Sequence, residues 1–237
     1  AAAAAGLLGA AAFVAVELRR DHPLIDVRIF RIRGLAAGSV NLFVVFAVMF
    51  SLFLVLVQYL QAVLGYSALR AATGLLPMAA VMMPLSTVAP TIAERIGFRK
   101  TLVTGMLAMA AGLALFAVMA DPAGGYLSVL PGVLILGAGV GLAMSPSTAA
   151  ITSSLPEEKQ GVASALNDTV REMGGAVGIA LIGSVLNSSY RTNVEPTTIA
   201  LPADVAEPVT EGIGGALAVA ERLGENGAAL ADAARGS

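Results

Sequence analysis

The 237 residues are 57% hydrophobic and 13% charged, a charged share about half the ~25% of soluble domains. That excludes a disordered chain or a basic nucleic-acid-binding one and argues against a water-soluble globule. With no Cys and a single His, His22, the chain has no disulfide framework, no thiolate nucleophile and no cysteine- or histidine-based metal site, and no cofactor is expected.

Uncharged runs cover 1–16, 34–69, 71–93, 101–120, 122–156 and 173–190. A helix rises 1.5 Å per residue, so about 20 apolar residues cross a ~30 Å hydrocarbon core. Runs 34–69, 71–93, 101–120 and 122–156 reach that length, and 173–190 joined to 162–172 makes a fifth span despite three charges. Run 1–16 falls short by a few residues. Its charges Glu17, Arg19 and Arg20 follow it, the wrong order for a signal peptide, so it reads as the clipped end of a spanning helix. Continuous runs without alternation exclude a β-barrel. The expected fold is an all-α membrane protein with about six transmembrane helices.

Orientation follows from Lys and Arg in the short connections. The connection at 17–33 holds Arg19, Arg20, Arg28, Arg31 and Arg33; that at 94–100 holds Arg95, Arg99 and Lys100; that at 155–161 holds Lys159. The intervening connections, at 58–73 and 120–126, hold only Arg70. The basic set should face the cytoplasm. The net charge of −2 conceals opposite halves, because 194–237 holds seven acids and two Arg. Pro196, Pro202 and Pro208 break the first part of that tail, and 210–234 is Ala/Gly-rich with weak helical spacing. The expected order is a clipped transmembrane helix at 1–18, a basic cytoplasmic connection at 19–34, five helices of a bundle at 35–190 and an acidic extracytoplasmic segment at 191–237.

The segment GVASALNDTVREMGG at 161–175 carries charge inside a span. A charge at mid-membrane costs several kcal/mol and persists only against a partner or water. Entering near Gly161, Asp168 lies roughly 10 Å deep and Glu172 roughly 16 Å. Ser164, Asn167, Asp168, Arg171, Glu172 and Gly175 recur at three- and four-residue spacing and form one polar stripe. Arg171 is placed to pair with Asp168. Desolvation opposes ionisation of these acids and Arg171 favours it, a balance suited to a group that binds and releases a proton. A static ion pair, or acids complementing a helix N-terminus, is the alternative.

Phe43, Phe46, Phe50 and Phe53 share a helical face, with Asn41 near its start. Such a face binds lipophilic cations through the ring quadrupole, or merely packs against lipid and helices. Pro77, Pro84 and Pro90 in one span and Pro146 in another bend their helices as hinges or fixed kinks. Gly137/Gly141 and Gly174/Gly178 have the spacing of close helix contacts. VLILGAGVGLA at 133–143 imitates a dinucleotide fingerprint, but Leu142 takes the third glycine position and Pro146 interrupts the following helix.

The loop PTIAERIGFRKTL at 90–102 turns tightly at Gly97. It resembles the signature loop of the major facilitator superfamily, Gly-x-x-x-Asp-Arg-x-Gly-Arg-Arg/Lys. Glu94 stands for the Asp, Arg95 for the Arg, Gly97 for the second Gly and Arg99 for the final base, while Pro90 and Phe98 depart from the pattern. HPLIDVRIFR at 22–31, YLQAVLGYSALRAA at 59–72 and NDTVREMGGAVG at 167–178 further resemble the fourteen-helix drug:proton antiporters, multidrug exporters of that superfamily. The resemblance covers about 1–193. It implies that the chain is the C-terminal half of such a transporter, with helices eight to thirteen present and the final helix absent. It implies proton coupling or cation binding at Asp168 and Glu172 with Arg171, and cytoplasmic gating at Glu94, Arg95, Gly97 and Arg99. Phe46, Phe50, Phe53 and Asn41 would face substrate. The implied partners are the lipid bilayer, protons, a small hydrophobic or cationic substrate and the missing N-terminal bundle, in a multi-pass protein of a bacterial cytoplasmic membrane. No enzyme activity is expected. The alternatives are uptake or uniport of a metabolite on the same fold, and a non-transporting helical subunit of a membrane complex.

Overall fold

A computed structural model describes residues 2–19 and 27–198, with Val209, Gly215, Ala216, Val219 and Ala220 beyond them. Most of the expected acidic segment, and Arg20, His22 and Asp26 of the basic connection, lie outside the described residues.

Among the described residues the structure is all helical. The seven α-helices are α1 (Ala2–Glu17), α2 (Arg33–Gln58), α3 (Ala68–Thr73), α4 (Leu76–Ile96), α5 (Phe98–Met119), α6 (Tyr126–Ser153) and α7 (Gln160–Thr198). Five stretches are long and apolar enough to cross a membrane: Arg33–Val63, Ala68–Ile96, Phe98–Met119, Tyr126–Ser153 and Glu157–Tyr190. The 16 residues of α1 span only about 24 Å, and Leu8, Phe13, Val14 and Val16 are exposed.

Two boundaries differ from the sequence reading. Residues 58–73, expected to be a connection, are mostly helical: a π-turn at Tyr59–Val63 prolongs α2, and α3 leads almost directly into α4. Leu60 and Ala71 are buried in the core, so apolar burial holds this segment to the bundle. The Ser67 side chain caps α3, the Arg70 guanidinium lies 3.9 Å from the centre of the Tyr66 ring, and the Tyr126 hydroxyl donates to the Gly74 carbonyl at 2.6 Å. At the other end, α7 continues past 190 to Thr198, where the Tyr190 hydroxyl donates to the Val209 carbonyl at 2.9 Å.

The core is organised around α6. Gly105 and Gly112 of α5 meet Gly139 and Gly132 of α6 so closely that a Cβ at Gly112 would lie 2.5 Å from the Leu136 nitrogen. These glycines are spaced by seven on both helices, which lets antiparallel backbones touch over two turns. On a second face of α6, Gly137 and Gly141 receive Met78 and Met82 of α4. On a third, Gly38 of α2 approaches the Ser147 carbonyl. The GAGVG run is therefore a packing device shared by two neighbouring helices. Gly174 and Gly178 of α7 meet the Phe43 and Ala47 carbonyls of α2, so α2 and α7 run parallel. Pro77 lies in the first turn of α4, where a missing N–H costs nothing; Pro84 and Pro90 of α4, and Pro131 and Pro146 of α6, lie inside their helices.

Candidate functional site

The polar stripe of α7 divides in two. Asn167 is buried and Arg171 half-buried, facing α2 and α6, while Asp168 and Glu172, each about 100° further round the helix, are exposed. Arg171 Nη2 donates to Thr148 Oγ1 of α6 at 3.3 Å, and its guanidinium carbon lies 5.1 Å from the centre of the Phe46 ring of α2. Its Nε is buried without an acceptor. The expected Arg171–Asp168 pair is not formed: the guanidinium turns inward to a hydroxyl and a ring, while Asp168 looks outward and meets the Asn167 amide at 3.5 Å.

The aromatic face is only partly as expected. Phe46 stacks on Phe50 with ring centres 6.2 Å apart. Phe50 and Phe53 are 40% and 48% exposed and line a half-open cavity of about 270 Å³ with Met49, Leu75, Met78, Ala79 and Met82. Phe46 joins this wall to the charged stripe, with Phe50 against one side and Arg171 near the ring. Asn41 is not brought to this face. Five residues from Phe46, it points about 140° away and is buried against α6, where its amide donates to Ser147 Oγ at 2.6 Å and Ser147 donates on to the Ala143 carbonyl at 2.6 Å.

The loop at 90–102 is shorter than a connection normally is, because α4 ends at Ile96, α5 begins at Phe98, and Gly97 alone makes the turn at φ 97°, ψ 140°. Glu94 and Arg95 occupy the last turn of α4 and Arg99 the first of α5, all exposed. No ion pair links Glu94 to Arg95 or Arg99 among the described residues, and between exposed side chains such a pair would contribute little.

Residues 2–179 match the family described as Major Facilitator Superfamily. The chain belongs to the major facilitator superfamily. It is similar to the multidrug efflux pump LfrA of Mycolicibacterium smegmatis, 30% identical over 223 residues, covering 94% of this chain and 44% of that protein. It is also similar to a multidrug resistance protein B homologue of Mycobacterium tuberculosis, 33% identical over 187 residues, covering 78% of this chain and 35% of the relative. A third relative is the cephamycin export protein CmcT of Amycolatopsis lactamdurans, 32% identical over 200 residues, covering 83% of this chain and 40% of that protein. The chain thus spans less than half the length of these relatives.

For this superfamily member, sequence reasoning missed Thr148 and the methionine wall of the cavity. Met78 and Met82 stand one helical turn apart, a signal that could have marked a face of α4. Nothing local marks Thr148, which meets Arg171 only because α6 and α7 pack together.

Proposed function

We propose that the chain forms much of the C-terminal bundle of a fourteen-helix drug:proton antiporter in a bacterial cytoplasmic membrane. It would export small hydrophobic or cationic compounds in exchange for protons, against an N-terminal bundle supplied by the rest of the protein. The observation that carries the reading is the isolation of charge: Asp168, Arg171 and Glu172 are the only Asp, Glu, Lys, Arg or His residues in the middle of the five long helices. Intramembrane charges of this kind mark ion pathways. The names of the relatives, which describe drug efflux, resistance and export, support the substrate class. Exposure of both acids on α7 supports access from a cavity between bundles. Phe46, Phe50 and Phe53 would receive the apolar part of the substrate, while the exposed Glu94–Arg99 turn would gate the cytoplasmic side.

The test uses the full-length transporter in vesicles, with an imposed pH gradient and a panel of lipophilic cations. Glu172→Gln should lower proton-driven efflux about a hundredfold or more, in the range for loss of a positioned proton-transfer group, and Asp168→Asn somewhat less. Unchanged proton-coupled efflux in both variants would remove the assignment.

A further inference from the structure

The cavity between α2 and α4 has two walls of different character. Phe50 and Phe53 stand one turn apart on α2, and Met78 and Met82 one turn apart on α4. No lining side chain carries a nitrogen or an oxygen, so a charged group gains nothing by entering. The volume is about 270 Å³. A dry cavity of roughly 150 Å³ holds one benzene ring, while sites that take a whole drug run from about 300 to 1,000 Å³. The space therefore fits a fused system of about two rings and is too small for an entire drug.

The methionine wall is the adaptable one. Gly137 and Gly141 of α6 receive the α4 backbone at Met78 and Met82, which fixes where the two side chains start. The side chains themselves are unbranched and polarisable and make favourable contacts with ring edges. Met78 is buried with its Cγ turned towards Gly137, whereas Met82 is half-buried and has more room to move. The aromatic wall is continuous with the charged stripe of α7. A Cβ on Gly175 would lie 3.2 Å from the Phe50 ring. Glu172, exposed, precedes Gly175 by three residues on the same face and by about 4.5 Å along the axis. Phe50 thus stands between an apolar slot and an acidic side chain.

We propose that this cavity takes the fused aromatic ring of an exported compound while its cationic group stays outside, on the Glu172 side of Phe50, and that Met82 sets the size of ring accepted. Rings on one wall and thioethers on the other favour a flat, polarisable occupant over a saturated chain. The inference rests on the export reading above and adds to it a selecting residue and a ring size.

The experiment is displacement of ethidium from the purified full-length transporter, with no gradient imposed, followed by ethidium fluorescence. The competitors are benzyl-, naphthylmethyl-, anthracenylmethyl- and dodecyltrimethylammonium, which share one charge and differ in the apolar part. The unmodified protein should bind the naphthylmethyl compound at least about tenfold more tightly than the benzyl one, the scale of filling an apolar pocket, and more tightly than the anthracenylmethyl one. Met82→Ala enlarges the slot and should move the preference to three rings; Met82→Phe fills it and should move the preference to one. Met83, the next residue, is 65% exposed and outside the lining, so Met83→Ala should leave the order unchanged. An order unmoved by either Met82 variant, or moved the same way by both, overturns the proposal. So does affinity that climbs with ring number in every protein, which is partition into an apolar phase, or a dodecyl compound that binds best, which makes the occupant a chain. If Met82→Phe does not fold, Met82→Ala decides: a shift to three rings supports the proposal and an unmoved order overturns it. Failure of the unmodified protein to bind ethidium or any competitor would instead sink the export reading itself.

Discussion

The two sides of α6 are held by different physics. Towards α4 and α5 the contact is backbone on backbone, made by Gly105, Gly112, Gly132, Gly137, Gly139 and Gly141 with scarcely a polar side chain between them. Towards α2 and α7 the same helix offers Ser147 and Thr148, which meet Asn41 and Arg171. Of the buried polar atoms without partners among the described residues, Ser39 Oγ, Asn41 Oδ1, Asn167 Oδ1 and Arg171 Nε lie on that side, while Tyr59 Oη lies near Phe116 of α5. In a bilayer there is no hydrophobic difference between lipid and helix to drive association, so close dispersion contact makes the rigid half. The other half is also approached by backbone at Gly38, Gly174 and Gly178, but it leaves hydrogen-bonding capacity unspent, which makes it the side open to adjustment.

The largest effect should come from breaking the rigid side. Gly112→Leu places a side chain where even a Cβ would sit 2.5 Å from one backbone nitrogen and 2.8 Å from the Gly132 carbonyl. Neither helix backbone can give way, so overpacking should cost about 3 kcal/mol or more, read as loss of monodisperse full-length protein on mild heating. Gly183, whose added Cβ would meet nothing within 4 Å, is the control: Gly183→Leu should leave the midpoint nearly unmoved. Equal losses at both glycines would break the comparison.

An intermediate effect is expected on the polar side. Asn41→Leu removes the amide that donates to Ser147 at 2.6 Å and forces a branched side chain into a buried site. Hydrogen bonds between membrane helices contribute about 0.6–1.7 kcal/mol each, so the thermal midpoint should fall less than for Gly112→Leu. Gly97→Ala should cost about 1 kcal/mol or slightly more, because φ 97° strains any L side chain although space is open around it.

How far this is readable from the sequence depends on the length scale of each signal. Spans are legible because a run such as 101–120 needs only length and absence of charge, and Gly174/Gly178 is legible because four-residue spacing is local. The extension of α2 through Tyr59–Val63 is hidden by Gln58, Tyr59 and Gln61, whose polarity imitates a loop while Leu60 is buried. The expected Arg171–Asp168 pair follows from spacing on one helix, whereas the partners found for Arg171 come from α2 and α6, more than 20 residues away in either case. Nearness in sequence groups Asn41 with the aromatic face, and helical rotation carries it to the opposite interface.

Ser39→Ala gives the smallest effect and the sharpest sign. Ser39 is 3% exposed, yet its hydroxyl has no partner among the described residues. Burying a hydroxyl unpaired is unfavourable, and replacing it by an apolar group of nearly the same shape is neutral or stabilising, by about 1 kcal/mol at most. Ala also has the better helix propensity. The thermal midpoint of the full-length protein should therefore stay constant or rise slightly, in contrast to every substitution on the glycine side. If Ser39→Ala instead lowers it by as much as Asn41→Leu does, the hydroxyl is engaged in the assembled transporter. The side of α6 facing α2 and α7 would then be as fixed as the side facing α5, and the division between a rigid and an adjustable half would fail.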